Sequence, residues 1–195
     1  MNYLVHLYLA GADSGLQLGS MMGDFVKGPI PVDYPDKIRI GLQLHRKIDS
    51  LAQTNIHCCT SRRRLHTRFG HVRSVMIDIF YDHFLASDWA DYHADSLESF
   101  AADFYRTLDE HRRWLPEGLA RTAPRMQQRN WLVAYREKAS VERALLHLAS
   151  RLSRPTPLGE GLEELYRHEA SLKLDFHRFM QDARLFSRRF LGDES

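Results

Sequence analysis

The stretch Leu97-Glu98-Ser99-Phe100-Ala101-Ala102-Asp103-Phe104-Tyr105-Arg106-Thr107-Leu108 decides the fold class. Its leucines and phenylalanines fall at 97, 100, 104 and 108. Steps of three and four put one stripe on one face of an α-helix, whereas a strand would alternate. The same stepping recurs at Tyr3, Leu4, Leu7 and Tyr8, and again through Leu162, Leu165, Phe176, Phe179, Phe186 and Phe190.

Breakers divide the helices. Ser14-Gly15 ends the first, and a second is predicted over Leu16 to Val26. Gly28, Pro29 and Pro31 make a loop, and Pro35 with Asp36 suits the start of a helix running to about Gln53. Further helices are predicted over Cys59 to Arg68, Val72 to Ala86 and Leu97 to Trp114. Pro124 is read as opening a long helix through Leu152, which Pro155-Thr156-Pro157 stops. β-branched residues rarely alternate with polar ones, and no repeat or low-complexity tract occurs. The expectation is one all-α domain, a helical bundle over residues 1–195.

Composition agrees. Of 195 residues, 44% are hydrophobic and 27% charged, which excludes a disordered chain, a collagen and a disulfide miniprotein. The net charge of +2 gives no reason to invoke nucleic acid. Cys58 and Cys59 are adjacent, so they read as free thiols in a reducing compartment. No basic leader and no apolar run long enough for a membrane is seen, so the expected location is the cytoplasm. Histidine is the outlier at 11 residues. It is both a common metal ligand and a proton carrier near neutral pH.

Four places concentrate His and Asp. His6 sits in an apolar helix, where a buried histidine with a satisfied hydrogen bond would look the same. Asp24 stands between Met21-Met22 and Val26, and a carboxylate in such company needs a partner, a metal or a capping role. His45 and Asp49 are four apart and share a helix face, as two ligands or as a simple surface pair. Asp78 and Asp82 repeat that spacing, with His83 next, among Ile77, Ile79, Phe80, Phe84 and Leu85. Two close carboxylates repel, and burial makes it worse; a divalent cation relieves both. Imidazole with carboxylate suits Mn, Fe, Zn or Mg. No P-loop, GxGxxG or nucleophile-elbow serine occurs.

Charge is uneven. From Ser50 to Ile77 there is no acid, yet Arg62, Arg63, Arg64, Arg68 and Arg73 stand there. From Asp82 to Glu110 acids outnumber the single Arg106. The arginine stretch is either a solvated face or a dock for a phosphate or an acidic partner.

Asn2-Tyr3-Leu4-Val5-His6-Leu7-Tyr8-Leu9-Ala10 resembles the opening of bacterial acyl carrier protein phosphodiesterases. Gly23-Asp24-Phe25-Val26-Lys27-Gly28, His45-Arg46-Lys47-Ile48-Asp49 and Asp78 with Tyr81-Asp82-His83-Phe84-Leu85 resemble that family's next blocks, in order. Trp131 to Tyr135 resembles a later one. The resemblance implies an all-helical, divergent relative of HD-type phosphohydrolases, although the adjacent pair here reads Asp82-His83, the reverse of the HD order. It implies a divalent metal, manganese first, with Mg²⁺ or Fe²⁺ also suitable. It implies hydrolysis of the bond joining 4′-phosphopantetheine to the serine of holo-acyl carrier protein, with neither nucleic acid nor a membrane as partner. Asp24, Asp78, His6 and His45 are then the first candidate ligands, with Asp24, Asp78 and His45 also as catalytic groups. Asp82, His83 and Asp49 follow, as ligands or as groups that orient one. Acyl carrier proteins are strongly acidic, so Arg62, Arg63, Arg64, Arg68 and Arg73 become candidates for docking them. Two alternatives stay open: a related hydrolase of a small phosphodiester or nucleotide, and a helical module that grips an acidic partner without turnover.

Overall fold

A computed structural model describes residues 3–192. Among them are ten α-helices and no strand. They are α1 (Tyr3–Leu9), α2 (Ser14–Met22), α3 (Asp36–Thr54), α4 (Ile56–Arg64), α5 (Arg73–Ser87), α6 (Leu97–Glu110), α7 (Glu117–Gln128), α8 (Trp131–Ala134), α9 (Lys138–Arg151) and α10 (Leu162–Leu191). The expected all-α class holds.

α5 is buried along nearly its whole length from Met76 to Ala86, and α1 is buried on all sides. A helix apolar all round belongs in the middle, whereas α3, α6 and α10 bury one face. α1 therefore lies against α2, α5 and α10, and one continuous core joins them.

The α2–α3 pair fixes the functional half of the molecule. Glycines stand every fourth residue, at 15, 19 and 23, along the ridge of α2 that meets α3. A Cβ on Gly19 would fall 2.1 Å from the Ile38 carbonyl oxygen, and one on Gly41 would fall 2.3 Å from that of Leu16. Real Cβ atoms do not come so close, so the absence of a side chain is what lets the two backbones touch. Gly15 faces Lys37, Gly19 faces Gly41 and Gly23 faces His45, so the helices run in the same direction.

Several boundaries differ from expectation. α4 begins at Ile56, because the Asn55 side chain accepts from the backbone N–H groups of His57 and Cys58 at 2.9 and 3.4 Å. Pro116 and Gly118 begin α7 instead of ending the helix before it, and Pro124 lies inside α7. The long helix expected over 124–152 is three pieces. Asn130 takes a left-handed conformation (φ 43°), which stops α7. α10, by contrast, is one unbroken helix of 30 residues, closed by Gly192 at φ 80°.

Candidate metal centre

α1 contributes His6, α3 contributes His45 and Asp49, and the turn after α2 contributes Asp24. His6 and His45 are almost fully buried, and their rings stack with centroids 3.9 Å apart. Stacking aims both Nε2 atoms the same way. His6 Nε2 lies 3.2 Å from Asp49 Oδ1, and His45 Nε2 lies 3.2 Å from Asp49 Oδ2. Asp24 Oδ1 stands 3.9 Å from the same His45 nitrogen. Donor atoms of His6, His45 and Asp49 all fall within 4.8 Å of one another. The Asp49 side chain is 51% exposed, so the cluster is buried on the imidazole side and open on the carboxylate side.

The backbone builds this geometry. A Cβ on Gly23 would sit 2.1 Å from His45 Cγ, so only glycine leaves room for the ring. Arg46 donates to the Val26 carbonyl at 2.9 Å and so holds the turn that carries Asp24 against α3. α1 has only seven residues, too few to be stable alone. Both its ends are held by buried side chains. Asp82, on α5, accepts from the N–H groups of Leu4 (3.1 Å) and Val5 (2.9 Å), and the Ser187 hydroxyl of α10 donates to the Leu9 carbonyl at 2.9 Å. Those clamps set where His6 stands.

Electrostatics favours a ligand-ready state near neutral pH. Burial, aided by the neighbouring His45, pushes His6 down to about 4 despite Asp49, so its imidazole is neutral. Partial burial works against the Asp49 charge, but the bonds from His45 and His6 win and hold it well below the usual carboxylate range. Burial raises Asp78, and the charges of Asp49 and Asp24 push it the same way, which places all three carboxyl groups in one field. Two imidazoles beside clustered carboxyl groups, with neither Asp24 nor Asp49 paired to a lysine or arginine among the described residues, are a donor set that suits a divalent cation.

The structure separates the other candidates. Both oxygens of Asp82 are taken by the α1 backbone; burial raises that carboxyl to about 8, against the pull of those two bonds. His83 points elsewhere. Its Nδ1 meets the Tyr135 carbonyl at 2.8 Å, and the charges around it are Lys138, Glu169 and Asp88. The arginines divide as well. Arg64 pairs with Asp175 at 2.7 Å, and Arg68 with Glu160 at 2.8 Å. Arg62 and Arg73 donate to backbone carbonyls, and Arg63 is exposed. Sequence reasoning passed over Gly23 as a shaping residue, although glycines at 15, 19 and 23 were a readable signal.

No helix among the described residues is long and apolar enough to cross a membrane. No solved structure matches the chain. A family model described as acyl carrier protein phosphodiesterase matches residues 1–183. Relatives with that same name include one from Klebsiella pneumoniae, 32% identical over 181 residues, which spans 92% of this chain and 93% of the relative. One from Photorhabdus laumondii is 30% identical over 181 residues, spanning 92% and 91%. One from Escherichia coli O157:H7 is 27% identical over 190 residues, spanning 92% and 93%. A family match over almost the full length, with relatives of this identity end to end, makes the chain a member of the acyl carrier protein phosphodiesterase family.

Proposed function

We propose that this chain is a metal-dependent phosphodiesterase that releases 4′-phosphopantetheine from the serine of holo-acyl carrier protein. The observation that carries the reading is the convergence of His6 Nε2, His45 Nε2 and the Asp49 carboxylate within 4.8 Å, in a chain of this family. His6, His45 and Asp49 would hold the cation, with Asp24 and Asp78 beside them; Mn²⁺ is the first choice, then Mg²⁺ or Fe²⁺. A divalent cation there lowers the pKa of bound water and stabilises charge on a phosphoryl oxygen.

The protein's own groups do the rest. Asp49 stands 3.2 Å from both Nε2 atoms, so the two imidazole nitrogens and the carboxylate meet at one half-open point where a cation would replace any proton shared between them. Buried His6 stays neutral and does not repel a cation. Hydrolysis places the water oxygen on phosphorus, breaks the bond to the serine Oγ and returns a proton to that oxygen. The half-exposed Asp49 edge leaves room for a protein-borne phosphodiester, which an enclosed pocket would not.

The test is a mass measurement on holo-acyl carrier protein incubated with the purified chain, with Mn²⁺ and with chelator. The expected result is loss of the phosphopantetheine mass with Mn²⁺ and none with chelator. Release that continues undiminished in chelator would overturn the metal assignment. No release with Mn²⁺, Mg²⁺ or Fe²⁺ would overturn the activity.

A further inference from the structure

Arg62, Arg63 and Arg73 gather with His71, Cys59 and Ser74 around an open groove of about 340 Å³. It lies between α4, the 3-10 turn Thr67–Val72 and the start of α5. No acid lines it. The state of its arginines sets it apart from the rest of the basic stretch. Arg64 and Arg68 are neutralised by Asp175 and Glu160. Arg62 donates to the carbonyls of Ala52 (3.1 Å) and Gln53 (2.7 Å), and Arg73 to those of Gly70 (2.9 Å) and Arg62 (3.4 Å). A carbonyl orients a guanidinium without cancelling its charge. Each of these two arginines therefore keeps its full charge in a fixed direction, with N–H groups left to donate. Arg63 and His71 are exposed beside them.

Two helices tie the groove to the metal centre. Gln53, which holds Arg62, stands one turn beyond Asp49 on α3. Ser74, at the groove wall, stands one turn before Asp78 on α5. Four residues of helix span about 6 Å. Asp78 also acts on the Cys58 thiol, the neighbour of Cys59 in the groove wall. The groove thus opens about one helical turn from the candidate site along both elements.

We propose that this groove docks carboxylate side chains of the protein substrate, so that the phosphodiester beside them reaches His6, His45 and Asp49. The proposal rests on the function above and deepens it. A lone phosphodiester would be held at the metal centre and would leave a second, preorganised cationic site unused. A protein substrate with carboxylates flanking the modified serine engages both. Guanidinium forks bond carboxylate oxygens in pairs, and an open basic groove raises the encounter rate with an acidic surface.

Arg63→Glu and the double variant Arg63→Glu/His71→Glu test it, because both side chains are exposed and folding does not depend on them. Arg184→Glu, an exposed arginine of α10 away from the groove, is the control. The expected result is a KM for holo-acyl carrier protein raised fivefold or more, with kcat falling far less, a shallower dependence of KM on salt, and no change in the control. An unchanged KM and salt dependence would overturn the groove as the dock. If the wild-type chain releases no phosphopantetheine, the function has failed, and the groove is then judged by binding alone. Fluorescently labelled holo-carrier is titrated with each protein in chelator: weaker binding to the groove variants supports the dock, and equal binding overturns it.

Discussion

The His6–His45–Asp49 cluster and a second cluster of Asp88, Tyr92 and His177 use nearly the same groups to opposite effect. In the second, Tyr92 and His177 Nδ1 are hydrogen-bonded at 2.6 Å, and His177 Nε2 lies 3.5 Å from Asp88 Oδ2. Lys173 then neutralises Asp88 at 2.7 Å. Every nitrogen of that histidine has a neighbour, and the carboxylate has its own cation. In the first, two nitrogens converge on one carboxylate, two more carboxyl groups stand close, and no lysine or arginine answers Asp24 or Asp49 among the described residues. Residue type is therefore a poor guide to a site. What distinguishes one is charge left uncompensated and donor atoms aimed at a common point.

The largest expected effect breaks or confirms that contrast directly. His45→Ala should lower turnover of holo-acyl carrier protein on the order of a thousandfold or more, the several kcal/mol a metal supplies. It should also abolish stoichiometric Mn²⁺ uptake measured by elemental analysis. His177→Ala should retain metal and turn over within a fewfold of wild type, and lose about 1 kcal/mol of stability in urea unfolding. Equal losses of activity in the two variants would erase the distinction.

A smaller effect probes the cradle around the first cluster. Gly23→Ala drives a methyl group into the His45 ring. A displaced ligand of this kind should weaken Mn²⁺ binding roughly 10- to 100-fold by titration calorimetry. The helical circular dichroism should stay that of wild type. Unaltered affinity would mean that the ring position is not set by α2.

The smallest effect concerns pH in chelator. His6 has a folded-state pKa of about 4, below the ordinary 6.5. Between those values the unfolded chain binds the proton and the folded chain does not, so stability rises with pH across the window. Thermal melting should fall as pH is lowered from 6.5 toward 4, and the slope should lessen in His6→Asn. An identical slope in that variant would show that His6 is not held neutral by the fold.

Helix class and most helix positions were legible because local physics sets them. Apolar steps of three and four marked α6 and α10, and Gly28, Pro29 and Pro31 marked the loop before α3. His45 and Asp49 were legible as a pair for the same reason, since four residues apart on a helix is a local relation. Long-range relations were not legible. Nothing near Asp82 announces that its oxygens are claimed by Leu4 and Val5, nor does anything near Arg64 point to Asp175, 111 residues away. Pro124 looked like a start because proline suits a first turn, yet tertiary packing keeps it inside α7. The His6–His45 stack belongs to the fold alone, since α1 and α3 share no local pattern.

The clamp on α1 also sets a schedule. The Ser187 hydroxyl that holds the far end of the His6 helix is made 178 residues after Leu9. At ordinary rates of synthesis that gap is on the order of ten to thirty seconds. Until α2 and α5 have followed, a seven-residue segment too short to hold its own shape waits for partners. His45, Asp49 and the Asp82 carboxylate that holds the first turn of α1 are all made before Ser187, so one end of the His6 helix has its clamp before the other. The centre that joins His6 to His45 and Asp49 thus has its α5 support available well before its α10 support.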